Sequence, residues 1–397
     1  MQPTLRFPEF KKEWSYNLFS NIVTNRSKKF NPSNEEATND IELDSIEQNT
    51  GRLLNTYMSN QFTSQKNIFN KNSVLYSKLR PYLNKYYYSQ IDGVCSSEIW
   101  VLNTLNKDVL SNKFLYYFIQ TNRFSSVANK SAGSKMPRAD WELVENIRLY
   151  RGAIKEQEKI GKFFSKLDQQ IELEEKKLEL LEQQKRGYMQ KIFSQELRFK
   201  DKNGNDYPKW LTKKLDDIAY YRRGSFPQPY GKKEWYDEIN GEPFVQVVDV
   251  DNNMKLHNET KQRISDLAKP KSVKGFIGDI VVTLQGSIGR VAILQYDAYI
   301  DRTLLLINSF KIKMNKNYFK YVLYLLFLRE KERAPGGTIK TITKAVLSNF
   351  EIDIPTLEEQ NKIGMFFNEI DNLIELQNNK INHLKQRKQG LLQKMFV

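Results

Sequence analysis

Glu156–Phe193 reads EQEKIGKFFSKLDQQIELEEKKLELLEQQKRGYMQKIF, and Glu359–Phe396 reads EQNKIGMFFNEIDNLIELQNNKINHLKQRKQGLLQKMF. The two stretches align without gaps at a constant offset of 203 residues, and about half of the aligned residues are identical. A repeat this long is no solenoid unit; it marks a duplicated module that ends in a helix. The helix follows from period. Ile160, Phe164, Leu167, Ile171, Leu178 and Leu181 recur in steps of three and four, with Glu174 and Lys185 filling the gaps. The second copy repeats the pattern in Ile363, Phe367, Ile370, Ile374, Ile381 and Leu384, with Gln377 and Lys388 in the gaps. Tyr188, Ile192, Leu391 and Met395 continue the two stripes. Together they form an a/d seam over about five heptads, with no proline inside. At 1.5 Å per residue each helix is roughly 57 Å long. Amphipathic helices packed separately on their own domains also carry a stripe. A seam this long and narrow favours a coiled coil. An antiparallel pairing that sets Glu174 opposite Lys388, and Lys185 opposite Gln377, matches polar breaks with polar breaks and predicts the register.

Composition bounds the function. The chain has 397 residues and a formal net charge of +15, from 62 Lys and Arg against 47 Asp and Glu. Such an excess, spread through both halves, points to a polyanion, and to nucleic acid before a membrane surface. One cysteine, Cys95, excludes an internal disulfide framework and fits a reducing cytoplasm. No secretory signal pattern and no long apolar run is evident, so export and membrane spanning are not expected.

The modules also begin alike, with Leu5-Arg6-Phe7 before Trp14 and Leu197-Arg198-Phe199 before Trp210. The expected division is a first module over 1–153, a helix over 154–194, a second module over 195–356 and a helix over 357–397. Strands are expected at 73–79, 86–88 and 98–102, and again at 279–284, 291–294 and 302–307. Helices are expected at 112–120 and 317–328, and loops at 26–40, 132–138 and 335–341. Irregular mixing of strands and helices predicts α+β modules.

No phosphate-binding loop or dinucleotide fingerprint occurs. The only histidines are His257 in the second module and His383 in the C-terminal helix, which disfavours a His-based triad or a His-rich metal site. No catalytic residue and no metal site are assigned. Candidate DNA-binding residues fall in basic turns and loops. Lys78, Arg80 and Lys85 lie beside Tyr86–Tyr88. Ser134, Lys135 and Arg138 in one loop, and Thr338, Lys340, Thr341 and Lys344 in its counterpart, combine small donors with cations. Arg222, Arg223, Lys261 and Arg263 are further candidates, as are Gln285, Ser287 and Arg290 in a glycine-rich turn. Cations of this kind bind phosphates, and arginine can also read guanine.

This layout resembles the DNA-specificity subunit of type I restriction–modification systems over nearly the whole chain. The resemblance is carried by the duplicated Glu-Gln-x-x-Ile helix openings and the lead-in Ile354-Pro355-Thr356-Leu357-Glu358-Glu359-Gln360. Tyr76-Ser77-Lys78-Leu79-Arg80-Pro81 and Gly286-Ser287-Ile288-Gly289-Arg290 also look like stretches of that family. The first lead-in departs from it, with Gly152 in place of the proline. The resemblance implies two target recognition domains separated by two long helices that form an antiparallel, pseudo-twofold coiled coil. It implies a non-catalytic chain whose partners are double-stranded DNA, two methyltransferase subunits and translocase–nuclease subunits. S-adenosylmethionine, ATP and magnesium are then used by those other subunits, and this chain binds no cofactor directly. A single-chain DNA-modifying enzyme and a coiled-coil scaffold remain the alternatives.

Overall fold

The computed structural model describes residues 1–130, 135–333, 342 and 344–397. It divides into two compact units, residues 1–177 with 377–397, and residues 178–376. Each is an α+β unit.

In the first unit, a four-stranded sheet runs in the order Val23–Thr24, Ile99–Thr104, Val74–Ser77, Tyr86–Tyr88. A five-stranded sheet runs Lys29–Phe30, Lys66–Phe69, Gly93–Ser96, Asn39–Ile41, Tyr57–Met58. Ser15–Leu18 pairs with Arg148–Arg151 as a separate ribbon. The second unit repeats this plan. One sheet runs Ala219–Arg223, Leu304–Phe310, Ile280–Thr283, Val291–Ile293, and the other Gln262–Ile264, Glu242–Val245, Ala298–Ile300, Val273–Gly275. Its ribbon is Leu211–Lys214 with Glu351–Ile354. In each unit one strand pair is parallel, Asn39–Ile41 with Gly93–Ser96 and Glu242–Val245 with Ala298–Ile300.

Strand alternation explains the layering. Leu75 and Val101 face the second sheet with Phe69 and Cys95, while Val74, Tyr76, Trp100 and Leu102 face the helices. Val281 and Leu306 do the first job in the other unit, and Ile280, Val282, Leu305 and Ile307 the second. A strand covered on both faces reads as an unbroken apolar run, as Ile280–Thr283 does. The strands expected at 73–79, 86–88, 98–102, 279–284, 291–294 and 302–307 correspond to observed ones, and the helices to Asn112–Phe118 and Lys316–Arg333. The expected loop at 26–40 instead carries two short strands, because it supplies an edge and an inner position of the second sheet.

The long helices span Ile154–Phe193 and Leu357–Met395. Ile160, Phe164, Leu167, Ile171, Ile363, Phe367, Ile374, Ile381 and Leu384 are buried, while Leu178, Leu181 and Ile370 are half-buried. Near one end the stripe slips by one position: Met189 is buried and Tyr188 is 40% exposed. A 3.6-residue helix drifts about 20° per heptad against a strict 3.5 repeat, which produces such a slip.

Within each unit the helix segments pack antiparallel, but not in the expected register. Glu174 meets Gln377, whose amide donates to its carbonyl at 2.8 Å and its carboxylate at 2.7 Å, and also meets Lys380. Lys388 binds Asp168 at 2.7 Å, and Lys185 binds Asp371 at 2.7 Å. The pairing is thus shifted by about one heptad from Glu174 opposite Lys388. The expected register gives a carboxylate to only one of the two seam lysines. The observed one gives an aspartate to both. Each aspartate also accepts from a module tyrosine, Asp168 from Tyr117 at 2.9 Å and Asp371 from Tyr321.

The Glu-Gln helix opening is a second duplicated anchor. Glu156 accepts from Arg6 Nε at 2.6 Å and Nη2 at 2.8 Å, and from Trp14 Nε1 at 3.1 Å. Glu359 accepts from Arg198 Nε at 3.1 Å and Nη2 at 2.7 Å, and from Trp210 Nε1 at 3.0 Å. Gln157 donates to Gly152 O and Gln360 to Pro355 O, so glycine and proline serve the same bond. Gln157 also accepts from Ser111 N, as Gln360 does from Asn315 N, which ties each helix start to its module.

Candidate nucleic-acid interface

In the first module the turn after Val74–Ser77 begins with Ser77 Oγ donating to Leu79 O at 2.9 Å. Arg80 takes a left-handed backbone, φ 52°, and hands over to a 3-10 turn at Pro81–Leu83. Arg80 N donates to Pro137 O at 2.8 Å, and Ala139 N to Lys78 O at 2.7 Å. Leu79 and Arg138 form a β-bridge. The fold therefore brings Lys78 and Arg80 together with Arg138, which is far from them in sequence, and Lys135 lies three residues before it. Arg80, Lys135 and Arg138 are exposed there. Glu98, which the sequence reading passed over as part of a strand, accepts from Arg138 Nε at 2.9 Å and Nη2 at 3.3 Å. Hydrogen bonding to that carboxylate raises the guanidinium's affinity for its proton. Lys85 flanks the same turn, its carbonyl accepting from Ser77 N at 2.9 Å, but its Nζ donates to Leu43 O, inside the module. Ser134 lies outside the described residues.

In the second module the equivalent turn is Leu284–Arg290, between Ile280–Thr283 and Val291–Ile293. Lys78 N donates to Glu98 O at 3.0 Å, and Leu284 N donates to Thr303 O at 2.8 Å. The two basic turns singled out from sequence are therefore one feature of the fold seen twice. Thr283 Oγ1 clamps the turn by donating to Ser287 O at 2.5 Å and accepting from Arg290 N at 3.0 Å. Gly289 has φ 83°, and a Cβ on it would sit 2.8 Å from Phe327 Cβ, so only glycine fits. Ser287 is exposed and Gln285 half-buried. Arg290 donates to Val250 O at 2.9 Å. Arg222 is exposed on the strand Ala219–Arg223, and Arg223 donates to Ile342 O at 2.7 Å. Lys261 is exposed at a cleft, while Arg263 donates to Gly241 O at 2.8 Å. Lys344 opens the helix Lys344–Ser348. Thr338, Lys340 and Thr341 lie outside the described residues.

Among the described residues no group of His, Cys, Asp and Glu is arranged to hold a metal ion, and no helix is long and apolar enough to cross a membrane. His383 is an exposed flank of its helix. Burial pushes the Cys95 thiol up, so it is a core residue and no nucleophile.

The sequence pattern of the family described as "Type I restriction modification DNA specificity domain" matches residues 18–183 and again 207–386. The chain belongs to that family, with two copies of its domain. Among its relatives, the type I restriction enzyme MjaVIII specificity subunit of Methanocaldococcus jannaschii is 28% identical over 320 residues, 76% of this chain and 72% of that protein. The putative MjaX specificity subunit of the same organism is 26% identical over 300 residues, 72% of this chain and 68% of that protein. The type I restriction–modification S subunit from M. genitalium shares the fold, with a TM-score of 0.57 at 14% identity over 100% of this chain and 99% of that one. A chain from a study of complex assembly and conformational transition of the type I R-M system has a TM-score of 0.63 at 18% identity, covering 98% of each.

Proposed function

We propose that this chain is the sequence-specific DNA-binding specificity subunit of a type I restriction–modification complex. The observation that carries this is the basic edge of the first module, where Lys78, Arg80 and Arg138 converge with Lys135 close by in the chain, together with its topological counterpart in the second. Cations on one edge supply salt-dependent affinity for the phosphate backbone, and a few side chains beside them read base edges. Each module reads one half of a split target. The modules differ in sequence, so the target is asymmetric. The chain itself is non-catalytic. It works in the cytoplasm with two methyltransferase subunits and with translocase–nuclease subunits. It binds no cofactor directly; S-adenosylmethionine, ATP and magnesium belong to those partners.

The long helices set the gap between half-sites and dock the methyltransferase subunits. Removing one heptad from both helices shortens each by ~10 Å and is expected to change the preferred gap by up to about 3 bp. Methylome sequencing of a host carrying the variant complex reads this directly. The half-sites should stay the same. An unchanged gap in an assembled complex contradicts the ruler role.

A further inference from the structure

A cleft of about 990 Å³ opens in the second module beside the turn between Ala298–Ile300 and Leu304–Phe310. Tyr230, Gln246, Lys261, Asp301, Arg302 and Thr303 line it. Arg302 is exposed, and its guanidinium carbon lies 5.4 Å from the centre of the Tyr230 ring. It forms no ion pair or hydrogen bond with the described residues, unlike Arg263 and Arg290, which are tied to carbonyls. A guanidinium held by an aromatic face keeps its planar fork of donors available to a ligand.

Its neighbour Asp301 is 1% exposed. One carboxylate oxygen, Oδ1, accepts from Thr303 N at 2.8 Å and from Thr303 Oγ1. The other, Oδ2, is buried without a hydrogen-bond partner among the described residues. Leaving a buried acceptor unmatched is costly, and a carboxylate also repels phosphate. An edge that merely attracts DNA backbone has no use for it. Beside a held arginine it has one: the turn sets an unmatched acceptor directly behind an exposed donor fork, and a turn of the Asp301 side chain toward the cleft presents both to a base pair. In the major groove, guanine presents acceptors at O6 and N7, and its paired cytosine presents the N4 donor.

We propose that this cleft reads a G·C pair in the half-site of the second module, with Arg302 on the guanine and Asp301 on the cytosine amino group. The proposal rests on the specificity-subunit reading above. The equivalent turn of the first module supports the placement. There Ser96, Ser97 and Glu98 precede the strand Ile99–Thr104, and Glu98 holds Arg138 among the basic residues of that edge. The two modules thus present the same edge with different side chains, as two different half-sites require.

The test is to express this chain with its methyltransferase subunit in a methylation-free host and to sequence the methylome for wild type, R302A, R302K and D301N. D301N keeps an oxygen for Thr303 and replaces the unmatched acceptor with a donor. The expected result is that R302A and R302K both relax one G·C position by about ten- to a hundredfold. D301N should disturb the same position, and the other half-site should stay intact. An arginine that only contacts phosphate predicts something else: uniformly weaker binding in R302A, recovery in R302K and an unchanged motif. That pattern, or wild-type behaviour of R302A, overturns the proposal. A wild-type complex that assembles and yields no split motif overturns the specificity-subunit reading itself, so the two failures are distinguishable.

Discussion

Replacing Asp371 with alanine is expected to destabilise the second unit by about 3–5 kcal/mol, the cost of breaking a buried charge cluster from one side. Asp371 is 7% exposed. It neutralises Lys185 at 2.7 Å and Lys320 at 3.5 Å and accepts from Tyr321. Lys320 is itself buried, and desolvation already lowers its pKa. Without the aspartate two ammonium groups face each other with no counter-charge. Lys320 then loses its proton more readily, which limits the damage but leaves an amine without its partner. The unfolding midpoint of the unit should fall by about 6–20 °C. D371N keeps an acceptor for Tyr321 and should lose about half as much. Chemical denaturation with amide exchange localises the effect. A loss below about 1 kcal/mol for D371A would mean that the cluster contributes little beyond replaceable packing.

The second large effect is expected at the helix openings. Glu359 is completely buried and holds Arg198 through two bonds and Trp210 through one. E359A should cost about 3 kcal/mol, because it leaves the guanidinium without its counter-charge and the indole N–H without its acceptor. Arg198 keeps its bond to Pro208 O, and its side chain retains 20% exposure to water, which holds the cost below that of a fully enclosed ion pair. E156A should behave alike in the first unit, where Arg6 and Trp14 stand in the same relation to Glu156. E359Q, which keeps one acceptor and loses the charge, should fall between. Thermal melts of the variants check the order. Equal stability of E359A and wild type contradicts the anchor.

These two clusters show what sequence conveys and what it leaves out. Duplication and heptad spacing marked both helices, and Glu156 and Glu359 stood out as repeated. What they bind was not legible, because Arg6 lies 150 residues from Glu156 in the chain. The register was misread for a similar reason. Asp168 and Asp371 flank the a/d stripe, and their part appears only when tyrosines from the modules reach them. Strand positions such as Ile280–Thr283 were legible as apolar runs, but sheet order was not. Parallel pairing of Asn39–Ile41 with Gly93–Ser96 depends on segments that share no local signal. At the basic edge, residue type was enough to mark Lys78, Arg80, Lys135 and Arg138. It was not enough to separate them from Lys85 and Arg263, which donate to carbonyls of their own module. Arg302 was passed over as the start of a strand. The polar run Asp301-Arg302-Thr303 ahead of Leu304–Ile307 was the available clue.

The most direct measurement is the methylome of a methylation-free host that expresses the methyltransferase subunit with and without this chain. A new split, asymmetric adenine-methylated motif that appears only with this chain is the expected result, and it supplies both half-sites and the gap. An assembled complex that adds no sequence-specific methylation contradicts the specificity role and favours a scaffold.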